Sequence, residues 1–135
     1  MANPQSDAPP HRGNVYDPEC SARDVLELVG SKWVLLILPL LQAGPLRNAR
    51  LLESLSGISQ KMLTQTLREL ERHGLIHREV FPGKRVRVEY TLTELGCSLS
   101  QVLAPLDRWA EANFVQIDLA KARYDAKIGS LNPAP

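Results

Sequence analysis

Residues 57–74 decide the fold, and their sequence is GISQKMLTQTLRELERHG. They predict one short helix, because Ser59 can accept a hydrogen bond from a free amide of the first turn and Gly74 suits the left-handed residue that ends many helices. At about 100° per residue, this helix has two different sides. The apolar side carries Leu63, Leu67 and Leu70, and the opposite side carries Lys61, Thr64, Gln65, Arg68 and Arg72.

The polar side of this helix has the chemistry of a nucleic-acid contact. Gln and Arg can form paired hydrogen bonds with base edges, and Thr offers a hydroxyl and a methyl group. The alternative is an ordinary amphipathic surface helix. The charge distribution favours the first interpretation, because residues 31–91 carry ten basic and five acidic side chains within a chain whose net charge is only +1. A local positive excess is expected where a protein faces a polyanion.

Composition limits the class of protein. With 135 residues, of which 44% are hydrophobic and 23% charged, the chain suits one domain with a core. Its longest apolar run, residues 33–41, is shorter than the roughly 20 residues that span a bilayer, and the polar N-terminus lacks the apolar region of a secretory signal. We therefore expect a cytoplasmic protein with no membrane partner. Two cysteines without a Cys/His cluster predict no structural metal and no cofactor.

Three helices are predicted before this stretch. Helical spacing of apolar residues predicts the first over residues 21–29. Residues 31–42 are apolar almost all round and predict a buried central helix, in which Pro39 favours a kink or a tightened last turn. A third helix over residues 47–55 is joined by a tight turn to the helix predicted within residues 57–74. Two short helices joined in this way are the helix-turn-helix pattern.

After Gly74 the apolar residues alternate with polar ones up to Leu92, which is the period of half-buried strands. A turn at residues 81–84 makes these strands a hairpin, and its tip and edge carry Lys84, Arg85 and Arg87. A basic hairpin after a helix-turn-helix predicts a winged helix, with the wing contacting the DNA backbone or minor groove.

The rest of the chain predicts helices and mobile ends. Residues 1–17 read as a disordered tail, with ordered structure beginning near Cys20. Residues 18–112 form the winged-helix domain, and residues 113–135 form a separate C-terminal helix with a frayed end. The helix after Thr93 carries an apolar stripe that is longer than a small core needs to cover it. This length predicts that the stripe forms a dimer interface. The alternative is that the stripe packs into the core of its own chain. Its members are Leu95, Leu99, Val102, Leu106 and Trp109.

Several short motifs resemble one family when taken together. They are Cys20, GSKW at residues 30–33, GPLR at 44–47, GISQKMLT at 57–64, LRELE at 67–71, GLI at 74–76, Arg78 and VEYTLTELG at 88–96. In this order and spacing, they resemble the HxlR-type bacterial winged-helix regulators of the MarR-like superfamily over about residues 20–110. The chain departs from the family pattern at Asn48 and Arg50, at Pro39, and in its more basic wing.

The resemblance implies a mainly helical (α+β) winged helix-turn-helix that is not an enzyme. It implies a homodimer joined through N-terminal and C-terminal helices, bound to double-stranded DNA at a pseudo-palindromic operator. From the residues themselves we expect DNA contacts by Ser59, Gln60, Lys61, Thr64, Gln65, Arg68, Arg72, Lys84, Arg85 and Arg87.

Cys20 is a candidate sensor of oxidants or electrophiles. The amide dipole at a helix start favours its thiolate, whereas Asp17 and Glu19 disfavour it. The resemblance adds that several family members respond to oxidants or electrophiles at this position. A structural cysteine without a sensing role is the alternative, and Cys97 is expected to be a small helix residue.

Two other functions are open at this point. The same DNA-binding regulator could respond to a small aromatic or metabolite ligand in an apolar pocket near the dimer interface, lined by Trp33, Leu36 and Trp109. A winged helix that binds protein in place of DNA would need an apolar or acidic outer helix side. Enzyme chemistry by a Cys and His pair is not expected, because the three histidines are scattered along the chain.

Overall fold

The computed structural model describes residues 12–131. Within that range, helices and three short strands follow one another in a fixed order. They are α1 (Ser21–Val29), α2 (Lys32–Gln42), β1 (Leu46–Arg47), α3 (Asn48–Ser54), α4 (Gln60–Arg72), β2 (Ile76–Phe81), β3 (Arg87–Leu92) and α5 (Glu94–Leu131). The predicted combination of helices with a small hairpin is confirmed, and none of these helices is both long and apolar enough to cross a membrane.

The structured chain begins earlier than the sequence predicts. Residues 1–11 of the predicted tail lie outside the described residues, but the chain that follows enters α1 through hydrogen-bonded turns. The Asp17 carbonyl accepts the N–H of Cys20 at 3.1 Å, and the Val15 carbonyl accepts a guanidinium N–H of Arg23 at 3.2 Å. Both bonds use backbone carbonyl groups, which every residue has. They require no periodic apolar pattern, so they cannot be predicted from the sequence.

The core is centred on α2, as its apolar sequence predicts. Val34, Ile37 and Leu38 have no exposed surface. The helix continues through Pro39, which lies on its exposed side, to Gln42. The apolar side of α4 packs on the same core, so both predicted burials are confirmed. The buried cluster consists of Val34, Ile37, Leu38, Leu41, Leu51, Leu55, Leu63, Leu67, Leu70, Leu75 and Ile76.

The predicted hairpin is confirmed, and a third strand joins it. β2 and β3 pair antiparallel along their whole length. Their connecting loop covers residues 82–86, so it includes three of the four residues of the predicted turn at 81–84 and extends two residues further. β1 lies on the other edge of β3, with Arg47 opposite Glu89. A two-residue strand has no detectable period, so the sequence pattern places Arg47 in the third helix.

α5 is one helix of 38 residues, where the sequence predicts two shorter ones. The Thr93 hydroxyl accepts the N–H of Gly96 at 3.0 Å at the start of the helix. Between Pro105 and Gly129 the chain contains neither Gly nor Pro, so no residue interrupts the helix. The predicted division at residue 112 falls inside α5, and residues 132–135 of the predicted frayed end lie outside the described residues.

Candidate nucleic-acid interface

The ends of α4 are set by a side-chain cap and a glycine. Ser59 precedes the helix in an extended conformation, and its hydroxyl accepts the N–H of Met62 at 3.0 Å. Gly74 has a φ of 73°, a left-handed conformation in which a Cβ would be strained. Both predicted end signals are confirmed, and together they fix which residues of the stretch are helical.

The outer side of α4 presents polar groups away from the core. Lys61, Gln65 and Arg68 are exposed, and Thr64 is half-buried. The Gln60 amide donates to the Thr64 hydroxyl at 3.1 Å, which orients both side chains on one turn of the helix. This side therefore combines two positive charges with amide and hydroxyl groups, the set that suits phosphates and base edges.

Arg72 lies at the far end of α4, beside α1. Its guanidinium is 3.5 Å from the Glu69 carboxylate, and it borders a shallow depression together with His73 and Asp24. The His73 Nδ1 atom is 2.7 Å from the Glu69 carbonyl oxygen. Arg72 is thus separated from the other predicted contacts, and its charge is partly offset by Glu69.

The three predicted wing residues differ in their surroundings. Lys84 and Arg85 are exposed in the loop between β2 and β3. Arg87 instead lies over the Phe81 ring, with 4.3 Å from its guanidinium carbon to the ring centroid, and its Nε atom is 3.5 Å from the Glu89 carboxylate. All three cations are exposed, but only Arg87 already contacts a ring and a carboxylate of its own chain.

Three residues that are not among the predicted contacts lie beside the site. Arg47 of β1 lines the same depression as Arg85 and Arg87. Arg78 and Tyr90, which are opposite each other in the β2 and β3 pair, line a cleft of about 340 Å³ that also includes Thr64 and Arg68 of α4. The alternation along β2 was the available signal for Arg78, since it places Arg78 on the face shared with buried Ile76.

Cys20 occupies the position just before α1, with an extended conformation, a half-buried side chain and no capping hydrogen bond from its thiol. Its sulfur accepts the N–H of Asn14 at 3.4 Å. A Cβ added to Gly13 would lie 3.1 Å from the sulfur, so the preceding turn passes closely over the thiol. Cys97 is half-buried near the start of α5.

The predicted dimer stripe is largely uncovered within the chain. Leu95 and Trp109 are both 58% exposed, Val102 is 71% exposed and Leu106 is 46% exposed. Leu99 differs, because it is half-buried and packs against the intrachain core. Four of the five stripe residues therefore have apolar surface that the single chain does not cover.

The residues expected around a small-ligand pocket do not come together in an enclosed cavity. Leu36 lines a shallow apolar groove with Pro39 and Leu40, bordered by α5. Trp33 packs against the core, with the Lys32 ammonium 4.6 Å from its ring centroid, and Trp109 lies on the exposed stripe. Across residues 12–131, no group of three or more His, Cys, Asp and Glu side chains is placed to hold a metal ion.

These elements define a class of protein. A buried helix, two short helices joined by a tight turn, and a basic antiparallel hairpin form a winged helix-turn-helix. The sequence matches the HxlR-like helix-turn-helix family over residues 28–118. The chain belongs to this family.

Similar proteins agree with this assignment. The HTH-type transcriptional regulator YtfH of Escherichia coli is 39% identical over 105 residues, which are 78% of this chain and 83% of that protein. The structure of the transcriptional regulator ytfH from Salmonella typhimurium has a TM-score of 0.75 at 39% identity, covering 83% of this chain and 99% of that one. The reduced form of the redox regulator HypR has a TM-score of 0.67 at 33% identity, covering 73% and 97%. The chain is a transcriptional regulator and not an enzyme.

Proposed function

We propose that this regulator binds double-stranded DNA as a homodimer, on a pseudo-palindromic operator with one α4 helix in each half-site. The outer side of α4 enters the major groove, and the wing contacts the backbone or minor groove beside it. The contacts are made by Ser59, Gln60, Lys61, Thr64, Gln65, Arg68, Arg72, Lys84, Arg85 and Arg87, joined by Arg47, Arg78 and Tyr90.

The main support for DNA binding is the position of the exposed positive charge. Lys61 and Arg68 lie on the side of α4 opposite the core, and Lys84 and Arg85 are exposed on the neighbouring wing. A winged helix that bound protein would need an apolar or acidic outer side, whereas this one is polar and basic. The surface of α4 and the wing therefore suits a polyanion of regular shape.

Binding to the protein's own upstream region tests this function. We expect Arg68→Ala to weaken binding by about 1–3 kcal/mol, while Arg123→Ala, which removes an exposed arginine from α5, leaves it unchanged. Fluorescence anisotropy at several salt concentrations measures both. With about 6 to 10 phosphates neutralised per dimer, log K should fall with log salt at a slope between about −5 and −9. A flat salt dependence would contradict the proposal.

The dimer uses the stripe on α5. Leu95, Val102, Leu106 and Trp109 expose apolar surface in a continuous row, which a soluble protein covers when it associates. Leu99 lies in the same row and contributes from its partly buried position. A two-fold symmetric dimer would also bind a pseudo-palindromic site, because each half-site then contacts one copy of α4.

Cys20 makes the regulator responsive to oxidants or electrophiles. The turn at Gly13 and Asn14 passes closely over the sulfur, so an electrophile adduct formed there has to displace this turn. An oxidant such as diamide takes two electrons and two protons from a pair of thiols, and a disulfide between Cys20 and the partner's Cys20 or a small thiol would displace the turn in the same way. The same turn leads into α1, and α1 borders Arg72 at the end of α4. The similarity to HypR, whose structures include a reduced and an oxidised form, supports this second part of the proposal.

A gel shift with reduced and diamide-treated protein tests the sensing step. We expect diamide to release the wild-type protein and Cys97→Ser from DNA, while Cys20→Ser stays bound. The Cys97→Ser variant is the matched control, because it removes the other half-buried thiol. Release of Cys20→Ser by diamide would show that Cys20 is not the sensing residue. That result would not contradict the proposal that the protein binds DNA.

A further inference from the structure

A groove between α2 and α5 lies outside the proposed DNA interface. It has a volume of about 490 Å³, and its lining residues are Leu36, Pro39 and Leu40 of α2 and Asp107, Ala110 and Glu111 of α5. The α2 side of the groove is entirely apolar, and Leu36 is 47% exposed there. The groove therefore combines an apolar floor with two carboxylates on its α5 side.

The two carboxylates lie close to each other on α5. Residues 107 and 111 are about one helical turn apart, which is about 6 Å along the helix axis. Asp107 is half-buried, and Glu111 is exposed. The ion pairs formed among residues 12–131 join other side chains, so no cation in this part of the chain is paired with either carboxylate. Water screens a half-buried carboxylate less than an exposed one, so Asp107 should attract a cation strongly.

Pro39 adds a third hydrogen-bond acceptor to the groove. In a regular α-helix the carbonyl of Leu35 would accept the N–H of residue 39, but proline has no N–H. The helix nevertheless continues through Pro39 to Gln42. The Leu35 carbonyl points along the helix towards Pro39, which lines the groove, and it lacks its regular helical donor. This oxygen is therefore placed to accept a hydrogen bond from a ligand in the groove.

We propose that the groove binds an amphiphilic organic cation, in which a primary ammonium group is attached to an apolar body. The apolar body covers Leu36 and Leu40, and the ammonium group lies between the two carboxylates and the Leu35 carbonyl. An ammonium group has three N–H donors, which equals the number of these acceptors. A neutral or anionic amphiphile would leave the half-buried Asp107 without a counter-charge beside apolar surface.

The charge of the groove favours this ligand over a second copy of the chain. The stripe assigned to the dimer interface lies on a neighbouring side of α5, because Asp107 is about 100° around the helix from Leu106. An apolar helix of a second copy would bury Asp107 without a cation, which is costly. An organic cation instead pairs with the carboxylate while its apolar part covers the floor.

The groove is separate from the side of α4 that is proposed to contact DNA. Leu36 and Pro39 lie on the outer side of α2, whereas Ile37 on its inner side belongs to the same buried cluster as Leu67 of α4. The inference therefore goes beyond DNA binding and does not depend on it. Arg68→Ala, which should weaken DNA binding, should bind the cation as the wild type does.

Calorimetric titration of the full chain with octylammonium chloride, below its micellar concentration, tests the ligand class. Octanol and octanoate carry an apolar chain of similar length without the positive charge. Octylammonium should bind about tenfold more tightly than either, because only the cation pairs with the carboxylates. Equal binding of all three would show that the groove recognises apolar surface alone, and it would overturn the proposal.

A matched pair of variants tests the role of Asp107. Asp107→Asn removes the charge and keeps the shape of the side chain, and Asp125→Asn makes the same change about 27 Å further along the same side of α5. Asp107→Asn should weaken octylammonium binding by about tenfold, whereas Asp125→Asn should resemble the wild type. Circular dichroism establishes that both variants are folded. Unchanged affinity in Asp107→Asn would refute the site.

Pro39→Ala tests the Leu35 carbonyl, because it restores the N–H that this carbonyl lacks. Octyltrimethylammonium has the same charge as octylammonium but no N–H donor. The wild type should therefore prefer octylammonium, and this preference should decrease in Pro39→Ala. A preference that is the same in both proteins would exclude the carbonyl from the site.

A lysine placed in the groove tests its occupant. Leu36→Lys supplies an ammonium group from the chain itself, and Leu26→Lys makes the same change at an exposed leucine of α1. Leu36→Lys should abolish octylammonium binding and sediment as the wild type does, whereas Leu26→Lys should bind normally. If the wild type did not bind octylammonium and Leu36→Lys made the protein monomeric, a second copy would occupy the groove and the proposal would be wrong.

Discussion

At the scale of single residues, Ser59 has two roles that substitutions can separate. Its hydroxyl caps α4, and its position at the helix start is among the proposed DNA contacts. Ser59→Ala should lower the free energy of unfolding by about 1 kcal/mol, because it removes the cap. Ser59→Asp keeps a capping acceptor and should preserve stability, but its charge should weaken DNA binding by about tenfold. Urea unfolding and anisotropy measure the two effects, and tight DNA binding by Ser59→Asp would place this position away from phosphates.

Gly96 holds α5 against the rest of the domain. A Cβ there would overlap the carbonyl oxygen of Leu75, which accepts the N–H of Thr93 at 3.1 Å. Gly96→Ala should therefore lower the free energy of unfolding by about 1–3 kcal/mol, as expected for overpacking. Gly129→Ala in the same helix is the control, because its Cβ would meet open space. A loss of stability in both variants would contradict this cause.

At the scale of elements, the three cations of the wing should contribute unequally to the salt dependence of DNA binding. Removing Lys84 or removing Arg85, which are both exposed, should reduce the magnitude of the salt slope of DNA binding by about two per dimer, which is about one for each copy of the chain. Arg87→Ala should change it less, because Arg87 is already held by Phe81 and Glu89. Arg123→Ala on α5 serves as the control. A larger effect at Arg87 than at Lys84 would mean that Arg87 leaves its neighbours on binding.

The helices and strands differ in how well local sequence patterns predict them. α4 was predicted with its cap, its terminating glycine and its two sides, because all three are local properties of residues 57–74. β1 was not predicted, because two residues become a strand only through pairing with β3. The unbroken α5 differs from the two helices that the sequence predicts, because no Gly or Pro lies at the predicted boundary after residue 112 and the helix continues through it.

At the scale of the whole molecule, the dimer decides how strongly DNA is bound. Val102→Asp puts a charge in the proposed interface, so it should raise the dimer dissociation constant by about tenfold or more. Because an operator with two half-sites needs two copies of α4, DNA binding should weaken in parallel. Gln101→Asp, an adjacent exposed position, is the control. Sedimentation and anisotropy check both, and unchanged association of Val102→Asp would refute the α5 interface.

The sequence alone determined the class of fold and the two sides of its central motif, because caps, turns and apolar periods are written in neighbouring residues. It also placed Lys61, Gln65 and Arg68 on one side of α4, since that follows from helix geometry. Only the tertiary structure decided which other groups lie next to them. Arg47, Arg78 and Tyr90 reach the site through strand pairing, and Arg87 lies over the ring of Phe81 across the hairpin. Such contacts join residues distant in the chain, so a local pattern can show which face of a strand a residue lies on but not which groups lie beside it.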